Sequence, residues 1–123
     1  MTASHTILVV EDDDDIRETL REVLLAEGYQ VDEARDGLEA FAHLRAGGPD
    51  HVSLILLDMM MPKMDGEAFL AALKQTPDLA RLRVVVISGN ARARARAEEL
   101  AAEACLVKPF DLEDLLGVVH RFA

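Results

Sequence analysis

The stretch ILVVEDDDD, from Ile7 to Asp15, joins four consecutive apolar residues to five consecutive acids. A short, β-branched apolar run of this kind predicts a buried strand. Four further segments share this short, strand-like character, and we predict strands at Gln30–Glu33, Ser53–Leu57, Val84–Ile87 and Ala104–Val107. The sequence therefore predicts five strands spaced along the chain.

Apolar residues recur at intervals of three and four between and after these strands, which is the spacing of one helix face. The four predicted faces are Ile16, Leu20, Val23 and Leu24; Leu38, Phe41 and Leu44; Phe69, Leu70 and Leu73; and Leu112, Leu115, Leu116 and Val119. Another helix, the fourth along the chain, is predicted near Arg92–Ala102 from its alanine-rich composition, and its few large apolar residues indicate the loosest element. Gly28 and Gly47 are predicted helix stops, and Asp111 with Asp114 is a predicted N-terminal cap.

Strands that alternate with helices predict a parallel sheet covered on both faces, with right-handed crossovers. We therefore predict an α/β domain of the (βα)5 type, doubly wound around a five-stranded parallel sheet. The pattern shows no internal repeat or low-complexity stretch. We predict one domain over residues 1–123.

The composition is that of an ordinary globular chain, with 50% hydrophobic and 29% charged residues among 123. The net charge of −10 argues against direct contact with nucleic acid or an anionic membrane. A single cysteine, Cys105, excludes an internal disulfide and favours a reducing compartment. Neither a signal peptide nor a membrane-spanning run is visible, so we expect a cytoplasmic location.

Polar side chains follow the predicted strands at the edge where open α/β sheets bind their ligands. These side chains are Glu11, Asp12, Asp58, Ser88 and Lys108. Carboxylates crowded at one edge repel one another unless a cation lies between them, so Glu11, Asp12 and Asp58 predict a metal site. The acids Asp13–Asp15 are interpreted as solvated residues, part of which cap the first helix.

The predicted ligands are all oxygen atoms, which favours a hard ion over one that prefers His or Cys. Mg²⁺ is the first choice because it takes one or two carboxylates while keeping waters and a substrate phosphate, and Mn²⁺ is the alternative. A loop that binds phosphate directly would carry glycines or hydroxyl residues after the first strand. The acids found there would accept a phosphate only across a bridging metal.

The chain resembles the receiver domains of response regulators in four segments: ILVVEDDDDIR (Ile7–Arg17), LILLDMMMPKMDG (Leu54–Gly66), ISG (Ile87–Gly89) and LVKPF (Leu106–Phe110). The segments occur in the family's order and span nearly the whole chain. This resemblance implies a flavodoxin-like receiver fold. It also implies a signalling protein that catalyses its own phosphorylation and dephosphorylation, rather than an enzyme.

By this resemblance Asp58 is the phosphoacceptor, whose carboxylate attacks the phosphorus of a phosphohistidine and becomes an acyl phosphate. Asp12 and Asp58 would bind Mg²⁺ directly, together with the main-chain carbonyl of Met60. Glu11 would act through a bound water. The resemblance therefore divides the acids at the sheet edge between acceptance of the phosphoryl group and metal binding.

Three further features resemble parts of the family's site. Lys108 resembles the cationic partner of Asp58 and of the incoming phosphoryl group, and its bond to Pro109 resembles one that the family holds in cis. Ser88 resembles the hydroxyl that binds the phosphoryl group. Residues Met61–Gly66 resemble the turn that follows the acceptor, in which glycine supplies a permissive backbone.

The sequence departs from the family's pattern in the residues that precede Lys108. Cys105 stands where the family commonly has Tyr or Phe, so aromatic coupling in that form is absent. We predict that Cys105 is a small buried hydrophobe without a redox role. Ala101–Ala102 stands in place of a usual Gly-Ala pair, and the short stretch from Ser88 to Lys108 predicts a displaced or trimmed fourth helix.

Met60 and Asn90 occupy positions that in the family modulate hydrolysis of the acyl phosphate. Because a methionine cannot orient water well, we expect a fairly long-lived phosphoryl form. Arginines also punctuate the fourth helix, and we interpret them as a solvated face with Arg94 paired to Glu98. The alternative is a contact surface, since the family presents its output through the fourth helix, fifth strand and fifth helix.

The expected phosphoryl donor is a sensor histidine kinase or a histidine phosphotransfer protein, and the expected target is a downstream protein whose affinity changes. One alternative is a phosphorelay shuttle that passes the group to another histidine. A second is a metal-dependent phosphatase of the haloacid-dehalogenase type, which would need an acid at Met60. A third is a degenerate receiver that only binds proteins, which would have lost one of the site residues. The sequence fits both a stand-alone receiver and a piece of a longer regulator or hybrid kinase.

Overall fold

The computed structural model of the protein describes residues 6–47, 51–59, 66–89 and 91–123. Within them, strands and helices alternate in the order β1 Thr6–Val10, α1 Asp14–Ala26, β2 Gln30–Ala34, α2 Gly37–Gly47, β3 Leu54–Asp58, α3 Gly66–Gln75, β4 Val84–Ser88, α4 Ala91–Glu99, β5 Ala104–Val107 and α5 Leu112–Phe122. All neighbouring strands pair in parallel. The predicted (βα)5 doubly wound parallel sheet is confirmed.

The sheet has the strand order β2-β1-β3-β4-β5, so the winding direction reverses between β1 and β3. At such a reversal the connections after two adjacent strands leave in opposite directions and open a crevice at their carboxyl ends. β1 ends just before Glu11, and β3 ends with Asp58. The topology therefore places the candidate residues at the natural ligand site of this fold.

Alternate residues of the central strands point to opposite faces of the sheet and form two cores. One core packs β-strand side chains against α1 and α5, and its strand members are Ile7, Val9, Leu54, Leu56, Val85, Ile87 and Leu106. The other packs against α2, α3 and α4, and its strand members are Leu8, Val10, Ala34, Ile55, Leu57, Val84 and Val86. Burial on both faces explains why β1, β3 and β4 are apolar except for one terminal residue in each.

The helix ends follow the predicted capping residues. Asp13 precedes α1 and accepts hydrogen bonds from the N–H groups of Asp15 and Ile16 at 2.9 and 3.0 Å. Asp111 caps α5 and accepts from the N–H of Asp114 at 2.8 Å. Gly28 follows α1 with a φ of +95°, a conformation that glycine adopts without steric cost. Gly47, the second predicted stop, is the last residue of α2.

Three predicted core residues are wrong, because Ile16, Leu38 and Leu112 are exposed. Each lies in the first turn of its helix, beside the carboxyl edge of the sheet, where less of the sheet is available to cover it. The strand limits also move slightly, since Asp58 and Ser88 end β3 and β4 instead of following them. Asp58 and Ser88 are therefore held by the hydrogen bonds of the sheet.

The fourth helix, α4, is short, as the sequence predicted. It has nine residues, and Ala97 is its buried residue. In the described part of the chain, no helix combines the length and the apolar character that crossing a bilayer requires.

Candidate functional site

Three acids meet at the carboxyl ends of β1 and β3. One carboxylate oxygen from each of Glu11, Asp12 and Asp58 lies within 4.8 Å of the other two. Glu11 is 1% exposed and Asp58 3% exposed, whereas Asp12 is open to solvent. The predicted convergence of the three acids is confirmed, and the cluster has a buried floor and an open side.

Backbone hydrogen bonds fix the two buried acids from both sides. The N–H of Glu11 donates to the carbonyl of Ala34 at 3.0 Å, which extends the β1–β2 ladder by one residue. Asp58 pairs in register with Ile87, and the next N–H, that of Met59, donates to the Ile87 carbonyl at 3.1 Å. The side chains of Glu11 and Asp58 therefore extend from main chain that the hydrogen bonds of the sheet hold in place.

The side chain of Glu11 is only half satisfied. Its Oε2 accepts the N–H of Asp13 at 3.2 Å, while its buried Oε1 accepts no hydrogen bond from the described residues. Burial, followed by the close carboxylate of Asp58, raises the pKa of Glu11 to about 8, although the Asp13 N–H acts in the opposite direction. Two buried carboxylates side by side require a shared proton or a cation.

This donor set fits a divalent ion of the hard class. Carboxylate oxygens are the ligands that Mg²⁺ and Mn²⁺ take, and the orphaned Oε1 of Glu11 is an acceptor that a bound ion or its water would satisfy. The carbonyl of Met60, the remaining expected ligand, lies outside the described residues, as do Asn90 and the turn residues 61–65. Gly66, which ends that turn, is described and begins α3.

Ser88 ends β4, and Lys108 directly follows the neighbouring strand β5 at the same edge. Ser88 is fully buried as the last residue of β4, and its carbonyl accepts the N–H of Lys108 at 2.8 Å. The peptide bond between Lys108 and Pro109 is cis, as expected. The Lys108 side chain is exposed and forms no ion pair within the described ranges, so its action on a phosphoryl group stays a prediction.

The α4–β5 region differs in part from expectation. Arg94 pairs with Glu98 at 3.6 Å as predicted, but Arg96 reaches across to Glu67 at the start of α3, at 2.6 Å. Cys105 is half-buried rather than fully buried and packs against the core under α4. Burial raises the pKa of its thiol, which keeps the less reactive protonated form.

Sequence reasoning gave no role to Arg17, which the structure places beside the acid cluster. Its Nη1 donates to the main-chain carbonyl of Glu11 at 2.9 Å. The two residues are six apart across a strand end, a cap and a helix turn, so no periodic pattern could have indicated the contact. Arg17 is therefore a residue of the site that only the fold reveals.

Comparison with known proteins finds a matching family model and several relatives. The family model described as "Response regulator receiver domain" matches residues 7–120. The response regulator MprA of Mycobacterium bovis is 38% identical over 114 residues, which cover 93% of this chain. The chain spans about half, 48%, of the length of that relative.

Two solved structures show the same fold with ions bound. The Mn²⁺-bound response regulator Rcp1 is 36% identical, with a TM-score of 0.78, over 95% of this chain and 90% of that one. The response regulator TrrA of Thermotoga maritima, in complex with Mg²⁺–BeF, is 28% identical, with a TM-score of 0.84, over 97% of this chain and 99% of that one.

Proposed function

This chain belongs to the response regulator receiver domain family, a component of two-component signalling, and from that membership we propose that it accepts a phosphoryl group on Asp58. The observation that carries the proposal is the buried Asp58 carboxylate at the reversal point of the sheet, with two more acids within 4.8 Å. Two buried carboxylates beside each other are costly unless a proton or a cation offsets their charge. A cation bound from the open side of the cluster would offset that charge.

The proposed donor is the phosphohistidine of a sensor histidine kinase or a histidine phosphotransfer protein. An oxygen of the Asp58 carboxylate attacks the phosphorus, a P–O bond forms, and the P–N bond breaks. The electron pair of the broken bond stays on the imidazole nitrogen, which takes up a proton. The product on this chain is an acyl phosphate, and the donor histidine is released unphosphorylated.

The other residues of the edge stabilise the transferring group. Lys108 is the cation that can turn toward the added negative charge, since its side chain is exposed at the end of β5. The hydroxyl of Ser88, at the end of the adjacent strand, donates a hydrogen bond to a phosphoryl oxygen. Both residues act most strongly on the phosphorylated state, because only that state carries the extra charge.

The acids would hold Mg²⁺, or Mn²⁺ in its place. Asp12 and Asp58 are the direct carboxylate ligands in this proposal, with the Met60 carbonyl, and Glu11 acts through a bound water. When bound, such an ion would offset charge on the phosphoryl oxygens. Support comes from the all-oxygen cluster and from the ions in Rcp1 and TrrA, two proteins of similar fold.

We propose that the phosphorylated chain has a changed affinity for a downstream protein, bound at the face formed by α4, β5 and α5. α4 has one buried residue, Ala97, and Ala93 packs against the core beside it. The Arg96–Glu67 ion pair joins the helix to the first turn of α3. The first turn of α3 follows Asp58 closely in the sequence, so a change at Asp58 could reach α4 through the Glu67–Arg96 ion pair. A helix with few buried contacts needs little free energy to move.

The test is intact mass after incubation with acetyl phosphate and Mg²⁺, with and without EDTA. We expect the wild type and an Asp78→Asn control, changed at an exposed acid away from the site, to gain one phosphoryl group only with metal. The Asp58→Asn variant should gain none. A gain in Asp58→Asn, or none in the wild type even with a phosphohistidine donor, would reject the proposal.

A further inference from the structure

Arg17 connects three acceptors that belong to different segments of the chain. Its side chain is only 13% exposed. Besides the Glu11 carbonyl, it pairs through Nη2 with Asp14 at the start of α1 and through Nε with Glu33 of β2, the latter at 3.5 Å. The planar guanidinium fork is suited to such bridging, because its donors point in fixed directions.

The carbonyl that Arg17 holds belongs to the peptide that joins Glu11 to Asp12. Because a peptide group is planar, fixing its oxygen also fixes the direction of the Asp12 N–H and the position of the Asp12 Cα. Asp12 is exposed, so packing does little to place it. The hydrogen bond from Arg17 thus limits how the Asp12 carboxylate can be presented to the other acids.

The positive charge of Arg17 is paired with the carboxylates of Asp14 and Glu33. Burial would lower the pKa of Arg17, but the hydrogen bond and charge of Asp14 and the charge of Glu33 outweigh burial and raise the pKa. The contact of Arg17 with the acid cluster is the hydrogen bond to the Glu11 carbonyl, which acts on the geometry of the main chain.

We propose that Arg17 is a positioning residue for the divalent metal site, which holds the Glu11–Asp12 peptide so that both acids converge with Asp58. This inference rests on the proposed function. Arg17 does not bind the ion; it fixes the main chain between two residues of the acid cluster. Removal of such supporting contacts in metal sites commonly weakens metal binding about 10- to 100-fold.

The chain offers a matched control in Arg21. Arg21 lies one turn further along α1 and approaches the same acid, Glu33, at 3.8 Å. Within the described part of the chain, it makes no hydrogen bond to residues 11–15. Its side chain is 47% exposed. Arg21→Met therefore removes one arginine next to Glu33 while leaving the Glu11 carbonyl bond in place.

The experiment is calorimetric titration of Mg²⁺ into the metal-free wild type and into the variants Arg17→Met, Arg17→Lys and Arg21→Met. We expect Arg17→Met to bind Mg²⁺ about tenfold more weakly and Arg21→Met to stay within about twofold of the wild type. Arg17→Lys should not restore binding, because a single ammonium cannot bridge the three acceptors. Saturating Mg²⁺ should restore most of the rate of phosphorylation by acetyl phosphate in Arg17→Met.

Thermal unfolding in EDTA separates positioning from general destabilisation. If Arg17→Met is unfolded, Glu33→Gln replaces it, since that change removes the carboxylate charge that pairs with Nε of Arg17 while leaving residues 11–15 unchanged. A severalfold loss of affinity is then expected. Three outcomes would overturn this inference and leave the proposed function standing. They are wild-type affinity in a folded Arg17→Met, full rescue by Arg17→Lys, and an equal loss of affinity in Arg21→Met. A wild type that binds no Mg²⁺ would overturn the proposed metal site together with it.

Discussion

The carboxylates of Glu11 and Asp58 lie within 4.8 Å of each other, and neither side chain is more than 3% exposed. Burial and the neighbouring Asp58 raise the pKa of Glu11 to about 8 from an ordinary value of 4.5. The metal-free domain therefore holds a proton at neutral pH that an unfolded chain would release. Folding and proton binding are linked at this site.

Glu11→Gln should stabilise the metal-free domain at alkaline pH. An acid whose pKa is raised by folding contributes stability below pH 4.5 that is lost as the pH rises through about 8. A neutral glutamine avoids that loss, so we expect a gain on the order of 1 kcal/mol at pH 8.5 and little difference near pH 4.5. Urea unfolding in EDTA measures both values.

Excess Mg²⁺ provides the control for this prediction. A bound cation favours the charged form of Glu11, so the advantage of glutamine should shrink or reverse when Mg²⁺ replaces EDTA. An equal stability difference at both pH values would contradict the linkage, since a pure packing effect does not follow a titration.

The acid cluster was predictable because parallel strands bring their carboxyl ends to one edge. Glu11 and Asp58 each come at the end of an apolar run, and that position alone indicates proximity. The position of Arg17 was not predictable, since only the fold brings it to Glu11, which follows β1, and to Glu33 of β2. The exposure of Leu38 was also missed, because helical spacing identifies a face but not where along the helix the sheet stops covering it.

Gly66→Ala should damage the acceptor edge. A Cβ at Gly66 would lie 2.4 Å from the main-chain oxygen of Asp58 and 2.5 Å from the Cα of Met59, and neither is a flexible side chain. We expect a loss of about 2 to 4 kcal/mol in the free energy of unfolding, measured by urea denaturation. Phosphorylation by acetyl phosphate should fall too, since the clash moves the Asp58 backbone.

The matched control is Gly117→Ala in α5, where an added Cβ meets no atom within 4 Å. Alanine is the better helix former, so this variant should gain about 0.5 to 1 kcal/mol. Equal effects at the two glycines would show that the close approach at Gly66 is relieved by a small shift.

Ala101→Gly should stabilise the domain. Ala101 ends α4 with a φ of 62°, where an L side chain is strained. The N–H of Ala101 donates to the Glu98 carbonyl and that of Ala102 to the Ala97 carbonyl, each at 3.0 Å, which is the Schellman pattern that glycine favours. We expect a gain of about 0.5 to 1 kcal/mol in the free energy of unfolding.

The same hydrogen-bond pattern ends α1, where Gly28 takes the left-handed position. Gly28→Ala is therefore the converse experiment. A Cβ added at this position meets no atom within 4 Å, so the effect on stability is purely conformational. We expect a loss of about 1 kcal/mol. Destabilisation by both Ala101→Gly and Gly28→Ala would mean that the α4 end tolerates alanine through compensating contacts.

Met60→Asn should shorten the lifetime of the acyl phosphate. Met60 lies outside the described residues, so the prediction rests on its position two residues after Asp58 and on the chemistry of its side chain. A thioether is a weak acceptor that donates no hydrogen bond, whereas an amide can hold a water near the phosphorus. Positioning one reactant in this way accelerates hydrolysis, and we expect a rate roughly tenfold higher.

The measurement of this rate is a mass time course in Mg²⁺ after acetyl phosphate is removed by desalting. Gln75→Asn, at the exposed end of α3, is the control that places the same residue, asparagine, far from the acceptor. It should lose phosphate at the wild-type rate, because its amide cannot reach the attacking water. If Met60→Asn loses phosphate no faster than this control, the methionine does not set the lifetime of the acyl phosphate. Another residue, such as Asn90, would then already orient the water.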